Sequence, residues 1–286
     1  MSFSGFSSVC VIGIGLIGGS VAASLRALDD GPRVVGVDID EATVTEALAR
    51  GIVADAAVAG TPKAEAWLSP GGCELVVVAT PARFLDAWLE KLGQLAYDGV
   101  VTDVASTTGG VMRAARRHLG SAARFVGGHP MAGSERSGVG AARHDLFEGA
   151  YWLLTPGSET DPDAFSRVHA FVTALGARVI SVEPKSHDEA VAIVSHVPHV
   201  AAAALCDVAG AHAGESRELL RLAAGGFKDT TRIAAGSPEL WTGICLDNAD
   251  ARADGVRELR LALGEFEAMV RGRDGESIRG WLTGAA

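Results

Sequence analysis

The segment Gly13-Ile14-Gly15-Leu16-Ile17-Gly18 lies between an apolar run, Val9–Ile12, and a helical pattern over Ser20–Leu28. Glycines at this spacing, between a strand and a helix, leave few folds open. Gly13 permits a tight turn, Gly15 lets a bulky anion approach the backbone, and Gly18 lets helix and strand pack closely. Leu16 and Ile17 are counted with these glycines as cofactor-binding, and the N-terminus of the helix that follows supplies unpaired N–H groups that suit phosphate. Asp38 stands 20 residues beyond Gly18, at the end of a second strand, Val34–Val37. An acid there hydrogen-bonds ribose hydroxyls and repels a 2′-phosphate. Asp40 and Glu41 follow, with no adjacent Arg. A bound dinucleotide is therefore expected, NAD rather than NADP. A glycine-rich turn without a ligand is the alternative, and the strand, helix and acid in register count against it.

The rest of the first half alternates in the same way. Glu41–Arg50 reads as a helix, Leu75–Ala79 as a strand stopped by Pro81, and Val100–Val104 and Phe125–Gly127 as two more strands. Tyr151–Leu154 and Ala177–Val182 read as strands on either side of a helix over Phe165–Leu175. Strands alternating with helices imply a parallel sheet covered on both faces, a doubly wound α/β unit of Rossmann type. From Ser186, a plausible N-cap, only helices are expected. Val191–Val208 is apolar almost all round, so it is buried in a core or against a second subunit. The boundary lies between Pro156 and Lys185 and is drawn at residue 160, giving units 1–160 and 161–286.

Composition narrows the partners. Of 286 residues, 48% are hydrophobic and 21% charged, enough for a substantial core. The formal charge is −10 and Lys and Arg are scattered, which argues against nucleic acid. Cys10, Cys73, Cys206 and Cys245 lack metal or redox spacing and are expected as buried free thiols. No apolar run is expected to span a membrane, and Met1–Ser8 lacks the features of a secretory signal. A cytoplasmic protein acting on a small molecule is the expectation.

Several residues carry candidate chemistry. Ligands of doubly wound sheets bind outside the carboxyl ends of the strands. Thr80, Pro81, Asp103 and Ser106 all stand at such ends. Ser106 serves equally as an N-cap for a helix over Val111–Leu119. His129 follows the strand Phe125–Gly127 within Gly127-Gly128-His129-Pro130-Met131-Ala132-Gly133-Ser134-Glu135. Histidine is the natural general base near neutral pH. Glu135 and Arg136 are either a surface pair or a gate for anions. His196 and His199 interrupt the apolar helix at i, i+3 with Pro198 between them. Zinc lacks a third ligand there, a kink with satisfied histidines is possible, and a polar face toward a substrate cleft is preferred. Lys228, Asp229 and Arg232 form a polar cluster, with Trp241 soon after. An arginine there suits a carboxylate.

Gly13–Ser20, Asp103–Ser106, His129–Glu135, Ser195–His199 and Gly226–Ala234 together resemble the prephenate/arogenate dehydrogenase family, in that family's order along nearly the whole chain. The resemblance implies a dinucleotide domain followed by an all-helical dimerisation domain, a homodimer, and NAD-dependent oxidative decarboxylation of a cyclohexadienyl acid on the route to tyrosine. It makes His129 the base for the ring hydroxyl, with Ser106 positioning it and the nicotinamide. It gives Arg232 a substrate carboxylate, His199, Lys228, Ser134 and His196 substrate-side roles, and Asp229 and Trp241 the site wall. Glu135 falls at the entrance. Thr108 stands where the family often has Lys. No fused mutase segment or regulatory domain is expected, so feedback by tyrosine would act at the active site. Prephenate is the expected substrate, with arogenate or an amino analogue as alternatives. A β-hydroxyacid dehydrogenase would use a helical lysine where this chain has histidines. A non-catalytic NAD sensor would have no need of His129, Ser106 and Arg232.

Overall fold

The computed structural model of the chain describes residues 5–120, 124–134, 136–213 and 221–285. Among them, strands β1 (Ser8–Ile12), β2 (Arg33–Asp38), β3 (Asp55–Val58), β4 (Leu75–Val78), β5 (Val100–Asp103), β6 (Phe125–Pro130), β7 (Tyr151–Thr155) and β8 (Arg178–Ser181) form one sheet, in the order β3-β2-β1-β4-β5-β6-β7-β8. The apolar runs become strands because both their faces are covered. β1 sends Val9 and Val11 to one side and Cys10 and Ile12 to the other; β4 does the same with Leu75 and Val77 against Val76 and Val78. On the first face lie α1 (Leu16–Arg26), α2 (Glu41–Ala49) and a further helix, Pro162–Ala174. On the other lie α3 (Pro62–Trp67), α4 (Leu85–Gln94) and α5 (Gly109–His118). The helix Pro162–Ala174 is α6.

The sheet is parallel except at one place, which corrects the all-parallel expectation. β7 runs antiparallel to β6 and parallel to β8. The connection from β6 to β7 contains a single 3-10 turn, Val139–Ala141, among its described residues, in place of a crossover helix, so the chain returns in the opposite sense. Arg50 binds the carbonyls of Val139 and Ala142, and Ser20 Oγ accepts from the Arg143 N–H at 3.0 Å, so the connection lies back on α1 and α2.

The expected and observed elements differ at several ends. α1 begins at Leu16, four residues before the expected start, because the glycine turn feeds directly into it. β3 has no counterpart in the sequence reading; it is short and half alanine. Ser186 is not an N-cap. α7 (Pro184–Val191) is already under way there, and the Glu183 carboxylate accepts from the Ser186 N–H at 3.0 Å.

The chain divides into two compact units. The first holds Met1–Asp188 with Glu239–Asp247, and the second Glu189–Pro238 with Asn248–Ala286. The division falls after Asp188 rather than at residue 160, because α6 and β8 complete the first unit's sheet and core. After α7 comes a π-helical turn, Ala192–His196, then α8 (Val197–Ala213), α9 (Gly225–Thr231), a 3-10 turn Arg232–Ala235, α10 (Pro238–Asp247), α11 (Ala249–Gly272) and α12 (Gly275–Gly284). Pro198 has no N–H to give the preceding turn, and the wider turn just before it absorbs that loss. Gly255 lets α11 approach closely. A Cβ there would stand 2.8 Å from Val197 Cγ2 and 2.9 Å from Ile193 Cδ1.

The apolar run Val191–Val208 is not enclosed by this chain. Val194 is 66% exposed and Val208 57%, with Ile193 and Leu205 also exposed. The helical stretch Pro184–Ala213 is long and apolar enough, by length and composition, to cross a membrane, contrary to the sequence expectation. The thiols divide as well. Cys10 and Cys73 are buried, and burial raises the Cys73 pKa to about 11, whereas Cys206 is exposed and Cys245 half-buried.

Gly18 is the tightest point of the first unit. A Cβ there would lie 2.0 Å from the Gly13 carbonyl oxygen and 2.8 Å from Ala79 Cβ. Gly18→Ala is expected to destabilise by about 1–3 kcal/mol, the range for overpacking. A thermal melt reads this as a drop of several degrees. An unchanged melt would contradict the close seat of α1 on β1.

Candidate active site

The order of the sheet reverses between β1 and β4, and their carboxyl ends part to form a cleft. Gly13 turns the chain with φ +88° and donates its N–H to Val37 O at 2.8 Å. Asp38 is oriented by backbone donors: Ile14 N–H reaches Oδ2 at 2.8 Å and Asp40 N–H reaches Oδ1 at 3.1 Å. Gly13, Gly15, Asp38, Thr80 and Pro81 line one cavity of about 650 Å³. Ile39, Phe84 and Trp88 add an apolar and aromatic wall that sequence reasoning missed, with Lys91 beside it.

This cleft has the features that a dinucleotide requires. Gly15 is the N-cap of α1 and brings no side chain to it, and the first turn, with Leu16 and Ile17, carries no acid. Its amides can meet an anion. A Cβ on Gly15 would meet nothing within 4 Å, so the backbone there faces open space. Thr80 Oγ1 is buried without a hydrogen-bond partner among the described residues, a polar atom set for a ligand.

At the ends of β5 and β6 stands a second cluster. His129 lies within β6, two residues beyond the expected strand end. β5 pairs with β6 at Phe125 and Val126, and beyond them β6 pairs with β7, where His129 faces Leu153. The glycines before it serve packing rather than ligand approach. A Cβ on Gly127 would lie 2.3 Å from Thr155 Oγ1, and one on Gly128 2.7 Å from the Asp103 carbonyl. Asp103 is fully buried and accepts from Ala105 N–H at 3.0 Å and Gly128 N–H at 3.1 Å. It stitches the end of β5 to β6. Burial pushes its pKa up to about 7, and the charge of Asp188 adds to that rise against the pull of the amides.

His129 is buried, with Nδ1 2.9 Å from His187 Nε2, and His187 Nδ1 is 2.9 Å from Asp188 Oδ1. Asp188 also caps α5. Its oxygens accept from Thr108 N–H and Gly109 N–H, both at 2.8 Å. Burial of Asp188 opposes ionisation, yet the bonds from His187, Thr108 and Gly109 outweigh it and hold the carboxyl below its usual range. Ser106 sits half-buried in the short loop before α5, whose N-cap position is taken by Thr108. His187 and Asp188 were not singled out in the sequence. The signal available was an adjacent His-Asp pair just after the last strand.

In the same unit, Ser134 is exposed and its Oγ accepts from Arg136 N–H at 3.1 Å. Glu135 lies outside the described residues. Trp241 is half-buried on α10.

In the second unit, His196 does not share an open polar face with His199. It is 1% exposed and its Nδ1 lies 2.8 Å from Arg252 Nη2 of α11, a buried cation that the sequence reading missed. His199 is buried too, and desolvation lowers its pKa, which keeps the ring neutral at pH 7. Lys228 and Asp229 are exposed on α9, and Arg232 opens the 3-10 turn that follows, so Lys228 and Arg232 are not two turns of one α-helix. Among the described residues, no three His, Cys, Asp or Glu side chains are grouped to hold a metal.

Comparison with known proteins matches this arrangement. The family model "Prephenate dehydrogenase, nucleotide-binding domain" matches residues 21–181, and "Prephenate dehydrogenase, dimerization domain" matches residues 183–284. The prephenate dehydrogenase of Bacillus subtilis (strain 168) is 36% identical over 278 residues, covering 95% of this chain and 72% of that protein. The crystal structure of Aquifex aeolicus prephenate dehydrogenase in complex with hydroxyphenyl propionate and NAD+ superposes with TM-score 0.91 at 30% identity, covering 99% of this chain and 96% of that one. That of Synechocystis arogenate dehydrogenase gives TM-score 0.81 at 29% identity, covering 96% of each chain. With both family models and a relative 36% identical over 95% of this chain in agreement, the chain belongs to the prephenate/arogenate dehydrogenase family.

Proposed function

We propose that the protein is an NAD-dependent prephenate dehydrogenase, converting prephenate to 4-hydroxyphenylpyruvate and carbon dioxide in tyrosine biosynthesis. The observation that carries this reading is His129, a buried imidazole backed by a second histidine, on the same sheet edge as a cleft suited to a dinucleotide. NAD, when bound, accepts a hydride. Its phosphates would meet the amides of Leu16 and Ile17, its adenosine ribose would meet Asp38, and Thr80 Oγ1 would gain a partner. The carboxylate at Asp38 favours NAD over NADP by charge.

His129 would take the proton of the ring 4-hydroxyl as hydride leaves the same carbon. The O–H electron pair becomes a carbonyl. The ring then loses its carboxylate as CO2, and the electrons of that bond aromatise it to a phenolate, to which His129 can return the proton. Little acid catalysis is needed, so orientation and one base carry the step. Ser106 would help to position the base and the nicotinamide. Arg232 would hold a substrate carboxylate bidentately, with Lys228, Asp229, His199, Ser134, Glu135 and Trp241 on the substrate side and His196 behind them against Arg252. A neutral His199 would act there as a hydrogen-bonding group rather than a cation. The exposed apolar side chains of Ile193, Val194, Leu205 and Val208, in the segment matched by the dimerization-domain model, support a homodimer, and a cytoplasmic location is part of the same proposal.

The decisive assay mixes purified protein with NAD and follows reduced nicotinamide, with prephenate and arogenate in parallel and NADP in a second pair. Reduction with prephenate and NAD is expected. Reduction with arogenate alone would favour the second reading, supported by the likeness to the Synechocystis enzyme. No reduction with either would overturn the proposal. His129→Asn is expected to lower kcat by ~10²–10⁴-fold, the usual share of a positioned base, with substrate binding little changed. Near-normal turnover would remove His129 from the chemistry. Arg232→Ala is expected chiefly to raise KM, by an amount on the order of 1.5–3 kcal/mol for a charge-assisted bond. An unchanged KM would take Arg232 out of the carboxylate site.

A further inference from the structure

Asp188 is the fixed end of a row of three side chains. Its Oδ1 accepts from Thr108 N–H at 2.8 Å, lies 2.9 Å from Thr108 Oγ1 and 2.9 Å from His187 Nδ1, and its Oδ2 accepts from Gly109 N–H at 2.8 Å. The two amides can only donate, so the carboxylate acts as an acceptor toward both, and its lowered pKa agrees with the ionised form. An acceptor-only Asp188 puts a proton on His187 Nδ1. His187 Nε2 then carries the lone pair, and across 2.9 Å it must receive a proton from His129 Nδ1. That tautomer leaves the lone pair of His129 on Nε2, the form in which an imidazole removes a proton. The two rings meet nearly edge to face, with centroids 5.1 Å apart and planes at 69°. His187 is 1% exposed, so water does not compete for the link.

We infer that His187 and Asp188 are positioning residues for His129, holding it as the Nδ1–H tautomer and balancing the positive charge it gains when it takes the substrate's hydroxyl proton. The inference rests on the base role proposed for His129. In that step the substrate O–H bond breaks, its proton bonds to His129 Nε2, its electron pair forms the carbonyl, and hydride passes to the nicotinamide. His129 becomes an imidazolium whose Nδ1–H points at His187, with a carboxylate one link further on. Thr108 is part of the anchor. Its side chain is buried, within 3.0 Å of the Pro184 carbonyl oxygen, and fixes the start of α7 to the start of α5. In this chain the position where the family often has Lys therefore serves to hold Asp188 in place. Asp103, which accepts from Gly128 N–H beside His129, also faces the row, as does Arg113, which comes up to Gly109 next to Asp188.

The test needs no substrate at its first stage. In protein labelled with 15N-histidine, long-range proton–nitrogen correlations report which ring nitrogen is protonated, and His129→Asn assigns the signals. Neutral His129 is expected to carry its proton on Nδ1. A wild-type His129 protonated on Nε2 would overturn the relay, whatever the enzyme's substrate. At the second stage, His187→Phe is expected to lower kcat by about 10–100-fold, the range seen when the group behind a functional histidine is removed. KM for prephenate and for NAD should change little. The acid limb of kcat/KM should move to lower pH, because the base has lost the anion behind it. His187→Gln, whose amide oxygen can still accept from Nδ1–H, should recover part of the loss. Wild-type turnover and pH profile in His187→Phe would also overturn the relay. Absence of turnover by the unaltered protein with either cyclohexadienyl acid would sink the proposed function instead, and leave the tautomer result standing on its own.

Discussion

The first unit depends on a carboxylate placed where no single element could hold it. Asp188 sits on α7, yet its oxygens close the N-terminus of α5, and the same oxygens reach the ring behind His129. Charge-assisted bonds of this kind each contribute on the order of 1.5–3 kcal/mol, and a carboxylate surrounded by donors keeps its charge despite burial. The loop that carries Ser106 enters α5 at this point. The His129 ring and the loop of Ser106 are therefore tied to one anion, and a shift of α7 would be felt by both.

The topology explains why two clefts of different chemistry share one edge. In an open sheet every parallel strand ends on the same side, so the turn after β1, the end of β4 and the ends of β5 and β6 are neighbours by construction. The dinucleotide cleft lies where the order reverses. The histidine row lies two strands along, where β6 outlasts β5. Asp103, the last residue of β5, joins the pieces by accepting from Ala105 N–H just beyond its own strand and from Gly128 N–H on β6.

The alternation of strands and helices was legible because it is local: apolar parity, glycine turns and an acid at a set distance. The cleft residues Gly13, Gly15, Asp38, Thr80 and Pro81, and the close packing at Gly18, follow from that pattern. The remainder of the site depends on distant partners. Gly128, His129 and Pro130 read as a loop, and become strand only because β7 arrives to pair with them. His187 looks like an ordinary first-turn residue until it meets a ring 58 positions earlier. His196 looked like a cleft residue, and Arg252, far along the chain, makes it a buried partner instead. The apolar helix was expected to be enclosed. A single chain leaves much of it in solvent, and no periodicity in its own sequence reveals what covers it.

That His129 lies in a strand rather than a loop bears on what changes the chain can tolerate. Successive residues of β6 alternate between the faces: Phe125 enters one core and Val126 the other. By that parity His129 shares the side of Phe125. A loop histidine would survive a neighbour inserted or deleted with a small displacement. Here one added residue between Val126 and His129 would turn the imidazole through to the opposite layer of the molecule, toward α1 and α6 and away from His187. In length this short segment should be among the least variable of the chain, even where the identity of its residues can drift.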